Sequence, residues 1–240
     1  MKLALMQPTF NPWLGYFDLI DYVDELIFFD TVQLAQQSWQ TRNKIKIQNN
    51  EFMVSIPIKK NQSTSESRIK DALIDSRKFD FRKKLIRTIE QNYNRANYFD
   101  QINSFVIDLI SFDTEYLSKY NINIIQNISK KLEFNTKFRV LSEENYIPRL
   151  SKGEQVLDIC KYFNAAEYIS PLGSKEYLDK IRDNFSKNNI SISYQHYAHP
   201  IYTQTGDEFI PYLGIFDLLY NEGFEKSKEI IRKGRKYEDT

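Results

Sequence analysis

Cysteine occurs once in the 240 residues and histidine twice. A single thiol excludes an intramolecular disulfide framework and fits a reducing compartment. Cys160 sits in Val156-Leu157-Asp158-Ile159-Cys160, a helical apolar spacing that predicts a small core residue rather than a nucleophile. The two histidines, His196 and His199, are three positions apart, which along a strand places them on opposite faces, so a two-histidine metal site is not expected. An excess of either charge is also missing: 33 Lys and Arg stand against 32 Asp and Glu, for a net charge of +1. The short run Arg82-Lys83-Lys84 reads as a solvated helix face, and a protein that neutralises nucleic-acid phosphates is not expected. No apolar run approaches the ~18 residues of a membrane span, and Leu3-Ala4-Leu5-Met6 is too short for a signal peptide, so the expected location is cytoplasmic. Glycine-rich phosphate loops, Ser/His/Asp arrangements and Cys/His clusters are absent.

What the chain has is an ordinary hydrophobic share, 41%, with aromatics at 15%. That is enough for a full core, with aromatic side chains left over for a pocket that holds flat or sugar-like ligands. Leu3-Ala4-Leu5-Met6 reads as a buried strand, residues 15–23 as an amphipathic helix and Leu26-Ile27-Phe28-Phe29 as a second strand, a βαβ unit of parallel strands. Residues 43–47 and 52–58 alternate around Asn49-Asn50 as a hairpin. The polar stretch 61–67 predicts a mobile loop, and residues 77–132 carry three helical apolar faces. Strands at 138–141, 168–170 and 190–194 then alternate with helices at 153–163 and 175–185. The fold class expected is α/β: one discontinuous domain over residues 1–240 with a doubly wound parallel sheet, a β-hairpin and a helical insertion over 77–133.

One internal echo stands out. Pro12-Trp13-Leu14-Gly15-Tyr16-Phe17-Asp18-Leu19 and Pro211-Tyr212-Leu213-Gly214-Ile215-Phe216-Asp217-Leu218 share Pro, Leu, Gly, Phe, Asp and Leu. Either two helices begin with the same punctuation, or both helix N-termini serve one pocket.

Polar residues concentrate where the first strand meets its helix: Gln7, Thr9 and Asn11, followed by Gly15 and Tyr16. In open parallel sheets ligands bind beyond the carboxyl ends of the strands, where helix N-termini favour anions. Gly15 is expected to let a ligand or a strand approach the backbone. Asp30 and Gln33 follow the second strand, and Trp39, Arg42 and Asn43 follow closely, an aromatic beside a guanidinium suited to phosphate or carboxylate. Ser170, Gly173, Ser174 and Lys175 form a comparable turn after a later strand, where Ser170 or Ser174 is expected to cap the next helix and Lys175 to hold an anion. His199, beyond the last strand, is placed for proton transfer.

These motifs, in this order, resemble the WbqC-like protein family: Gln7-Pro8, the helix start from Pro12 to Phe17, Asp30 to Gln33, Trp39 to Asn43, Ser170 to Leu178, His199-Pro200-Ile201-Tyr202, Phe209-Ile210-Pro211 and Asp217 to Gly223. The resemblance covers nearly the whole chain. It implies a bacterial protein of O-antigen, lipopolysaccharide or other surface-polysaccharide biosynthesis. A second likeness is to the nucleotidyltransferase superfamily and its pantothenate-synthetase-type ligases, through Thr9-Phe10-Asn11-Pro12 and the turn at Ser170 to Lys175. Trp13 and Tyr16 stand where that superfamily carries two histidines, so its phosphate-contacting groups are missing. The combined expectation is a transferase that attaches a small acyl or aminoacyl group to a nucleotide-linked amino sugar, with ATP and coenzyme A both open as cofactors and no metal assigned. Asp30 and His199 would handle protons, Arg42 and Lys175 would hold anions, and Trp39 or Tyr202 would stack on a base or sugar. Nucleotidyl transfer and a non-catalytic nucleotide-sugar-binding protein are the alternatives; the oligomeric state is left open.

Overall fold

Leu3, Ala4 and Leu5 lie in the centre of the molecule because both faces of their strand are covered. The computed structural model describes residues 1–59, 67–77, 80–150 and 152–239. Strand β1 (Lys2–Met6) pairs in parallel with β2 (Glu25–Phe28) on one side and β6 (Glu167–Pro171) on the other. The full order is β5-β2-β1-β6-β7-β8, with β5 (Lys137–Val140) and β7 (Ser191–Gln195) parallel to the centre and β8 (Tyr237–Asp239) antiparallel at one edge. Side chains alternate along β1 between two cores. Ala4 packs with Phe17, Leu26 and Phe28, whereas Leu3 and Leu5 pack with Ile27, Val156 and Phe185. Two covered faces explain why these strands read as continuous apolar runs.

One face carries helices α1 (Leu14–Tyr22) and α8 (Ile215–Lys233), together with α2 (Phe81–Tyr93), α3 (Phe99–Ser111) and α4 (Leu117–Lys131). The other carries α5 (Lys152–Tyr162), α6 (Lys175–Asp179) and α7 (Arg182–Lys187). The chain leaves β1 toward β2 and β5, then returns past β1 to β6 and β7. The topology therefore reverses between β1 and β6, the place where ligand crevices form in such sheets. A separate antiparallel hairpin, β3 (Arg42–Ile47) with β4 (Asn50–Ser55), stands beside this end of the sheet.

The α/β class, the mostly parallel sheet and the hairpin are as the sequence predicts. Two local readings change, and a third is not tested. The hairpin ends at Ser55 rather than 58. The helix expected over 175–185 is two short ones broken at residues 180–181. The loop expected over 61–67 lies outside the described residues except for Ser67. Among the described residues, no helix is long and apolar enough to cross a membrane.

Candidate functional site

At the carboxyl end of β1 the chain turns through residues 7–12 before entering α1, and this turn is held from three sides. Asn43 of β3 donates its amide to the carbonyls of Phe10 (3.0 Å) and Asn11 (2.7 Å). Asn121 of α4 donates to the carbonyls of Pro8 (2.9 Å) and Gln40 (2.8 Å). Gln40 Nε2 in turn donates to Gln7 Oε1 at 2.7 Å. The Tyr16 hydroxyl donates to the Gln7 carbonyl at 2.9 Å, and burial pushes its pKa up, so Tyr16 is a neutral wall rather than a base.

The rigid turn borders a cavity of about 350 Å³ lined by Met6, Thr9, Trp13, Tyr16, Trp39, Asn43, Lys44 and Tyr212. That volume lies within the range of small-molecule sites, and such sites are mostly apolar with few polar groups. Trp39 and Tyr212 are each about half exposed, at 51% and 54%. Tyr212 tilts against Trp13 with ring centroids 5.6 Å apart. Lys44 lines the wall, and its ammonium is paired with Glu51 of the adjoining strand at 2.6 Å.

Tyr212 reaches the site because the two halves of the sequence echo meet there. Trp13 bridges Gly214, the Ile215 N–H donates to the Pro12 carbonyl at 2.8 Å, and the Phe216 N–H donates to Asn11 Oδ1 at 3.1 Å. The start of α8 is thus capped by the turn that precedes α1. Tyr212 itself has φ of 60°, a left-handed conformation costly for a residue with a side chain. Its N–H donates to His199 Nε2 at 3.1 Å, while His199 Nδ1 donates to the Pro200 carbonyl at 2.9 Å. Both ring nitrogens are used, and burial lowers the His199 pKa against the opposing pull of the Pro200 bond. His199 is therefore a neutral brace for Tyr212.

Thr9, Tyr16, Trp39 and Asn43 thus meet in one cavity, and the remaining candidates lie elsewhere or have other duties. Gln7 and Asn11 build the turn. Gly15 admits the ring of Trp13, whose Cζ3 would stand 2.7 Å from an added Cβ, so the close approach it allows is made by a side chain of the protein itself. Asp30 is buried, is not among the residues lining this cavity, and accepts from the Ser142 N–H (3.1 Å), the Ser142 hydroxyl (2.6 Å) and the Ser118 hydroxyl (3.4 Å). Gln33 bridges Arg68. Arg42 donates to Gln37 at 3.3 Å, and its Nε is buried without a partner. Tyr202 is buried with its hydroxyl on Asp217 at 2.8 Å, so it does not stack in the crevice.

The turn after β6 is also corrected. Neither Ser170 nor Ser174 caps α6: the Ser170 hydroxyl donates to the Pro171 carbonyl, and Ser174 makes no side-chain cap bond. Gly173 is open to solvent on its Cβ side, and the Lys175 ammonium is paired with Asp179 at 2.6 Å. Met6, Trp13, Lys44 and Tyr212 are the lining residues that sequence reasoning missed. The echo was the available signal for the last, since it aligns Tyr212 with Trp13. Among the described residues, no group of three or more His, Cys, Asp or Glu is placed to hold a metal ion.

Comparison with known proteins adds the family. The chain is 30% identical to the uncharacterised protein Rv1507c of Mycobacterium tuberculosis over 226 residues, which cover 93% of this chain and 95% of that one. No solved structure matches. The family model of the WbqC-like proteins matches residues 7–229, from the turn after β1 to near the end of α8. The chain belongs to the WbqC-like protein family.

Proposed function

We propose that the aromatic crevice binds a nucleotide-linked amino sugar in surface-polysaccharide biosynthesis, as the acceptor of a small acyl or aminoacyl group. The observation that carries this reading is the grouping of Trp13, Trp39 and Tyr212 around one cavity, with Lys44, ion-paired to Glu51, in its wall. Aromatic faces stack on bases and on the apolar faces of sugar rings, and an ammonium suits a phosphate. Family membership supports the polysaccharide setting. In the transfer step the sugar amine attacks an activated acyl carbon, the activating group leaves, and the amine proton passes to solvent.

A second reading, binding without catalysis, is favoured by one observation: Asp30 and His199 are both fully engaged in structural hydrogen bonds. A thermal-shift screen with UDP- and dTDP-linked amino sugars, ATP and coenzyme A tests the binding. Nucleotide-linked amino sugars are expected to raise the melting temperature, and Trp39→Ala to weaken their binding by about tenfold, the usual cost of one lost stacking contact. A Trp39→Ala protein that binds like the parent would remove the crevice from the reading. Incubation with an acyl-coenzyme A or with ATP and a carboxylate, followed by mass spectrometry of the sugar, separates transfer from binding alone.

A further inference from the structure

A second cavity, of about 300 Å³, opens between β3, the C-terminal end of α2 and the segment after β7. Lys46 of β3 lines it and is only 3% exposed. Its ammonium reaches Gln204 Oε1 at 3.5 Å and the carbonyl of Glu208, both neutral acceptors. Among the described residues, no carboxylate comes within the 4.0 Å of an ion pair with it. Asp217 also lines the cavity, but its two oxygens accept from the hydroxyls of Tyr93 (2.9 Å) and Tyr202 (2.8 Å). The direct contacts of this buried ammonium are all neutral; the Asp217 carboxylate acts on it from beyond ion-pair distance and offsets part of the desolvation cost, and an anion in direct contact would offset more.

Arg95, exposed in the same lining, has no hydrogen bond or ion pair within the described residues, which leaves a second cation facing the space. The rest of the wall is rich in carboxamides: Gln48, Gln91, Asn92 and Asn94, joined by the hydroxyl of Thr205. Carboxamides both donate and accept, which matches a ligand rich in hydroxyl groups. Two cations match an oxyanion, with arginine able to bind it through two parallel bonds.

We propose that this cavity is a second ligand site that takes a monosaccharide phosphate, with Lys46 and Arg95 on the phosphate and the carboxamides on the sugar hydroxyls. The assignment is independent of the ligand of the aromatic crevice. Calorimetric titration with glucose 1-phosphate, inorganic phosphate and glucose, at constant ionic strength in chloride, is the test. Glucose 1-phosphate is expected to bind more tightly than either of its parts. Arg95→Ala is expected to weaken it by about tenfold, the scale of a lost charge-assisted contact. Lys46→Met, which keeps the side-chain length, is expected to weaken it further; if that variant does not fold, Arg95→Ala alone carries the test. Trp39→Ala, in the other crevice, is expected to leave this binding unchanged whether or not the crevice binds a nucleotide sugar. Binding of glucose 1-phosphate no tighter than that of glucose or phosphate alone, parental binding by Arg95→Ala, or loss of binding in Trp39→Ala would each overturn the proposal.

Discussion

The carboxyl of Asp217 is wholly out of solvent. Burial pushes its pKa up to about 6, against the pull of the Tyr202 and Tyr93 hydroxyls, of Lys46 and of Gln204. Those groups face it from every flanking segment: Tyr93 from α2, Lys46 from β3, Tyr202 and Gln204 from the stretch after β7. Its ordinary value is 3.8. A folded pKa above the unfolded one means the folded state holds the proton more tightly, so this contribution to stability is complete below 3.8 and is lost as the pH rises through about 6. The loss across that window is on the order of 3 kcal/mol. Asp75 and Asp179 do not confuse the reading, because Arg77 holds the first, and Arg182 and Lys175 the second, below the usual carboxylate range. Asp217→Asn keeps the shape and removes the titration. Urea denaturation of parent and variant at a series of pH values is expected to show a flatter curve for the variant between about 4 and 6. Curves of equal slope would mean that Asp217 does not titrate there.

Helices α1 and α8 begin with nearly the same residues because each start must bend sharply against the other. Gly214 lies so close to the turn at residues 7–12 that an added Cβ would stand 2.6 Å from the Asn11 carbonyl oxygen. Backbone cannot retreat as a flexible side chain can, so Gly214→Ala is expected to cost about 1–3 kcal/mol. Gly173 is the control, since nothing lies within 4 Å of its Cβ position. Gly173→Ala is expected to be neutral or to stabilise by about 0.4–1 kcal/mol through the unfolded chain. Equilibrium denaturation of both variants measures the difference, and equal stabilities would show that the turn moves aside. The same pair of helix starts marks how far the crevice was legible. Thr9, Tyr16, Trp39 and Asn43 follow from one strand end, one helix start and a nearby aromatic loop, all local in sequence. Tyr212 reaches the crevice, and Asn11 takes up its duty, only through contacts about 200 residues apart along the chain, while the brace His199 lies 13 residues from Tyr212. The hydrogen bonds of Asp30 were hidden for the same reason: its partners Ser118 and Ser142 lie on a helix and a turn that only the folded chain brings near.

The parallel strands were legible because burial on both faces writes itself as unbroken apolar runs, and the reversal of topology followed from their alternation with helices. The edge strand β8 was not, since Tyr237-Glu238 has neither length nor alternation; it follows directly on Arg235, which anchors the chain to Asp18. Arg235 donates from Nε to Asp18 at 2.7 Å and from its terminal nitrogen to Asp21, joining the end of α8 to α1. Asp18 has no exposure and also accepts from Gln195 at the end of β7 (2.9 Å) and from the Tyr237 hydroxyl (2.8 Å). One carboxylate therefore ties together the first helix, the last helix and the two strands of one sheet edge. Gln195 Nε2 also reaches the Gly15 carbonyl at 2.9 Å, which extends the network to the helix start beside the aromatic crevice. Arg235→Ala would leave a buried carboxylate without its cation, a change expected to cost about 3–5 kcal/mol. Arg232, which donates to Asp21 at 2.7 Å from a side chain 48% exposed, is the comparison: Arg232→Ala is expected to cost less than about 1 kcal/mol. Arg235→Lys should fall between them, because an ammonium cannot span both carboxylates as the guanidinium fork does. Adding Asp18→Asn to Arg235→Ala removes the orphaned charge and is expected to recover part of the loss. Denaturation midpoints of the five proteins decide the matter. An Arg235→Ala variant no less stable than Arg232→Ala, or a double variant less stable than Arg235→Ala alone, would show that the buried charge is not what this arginine balances.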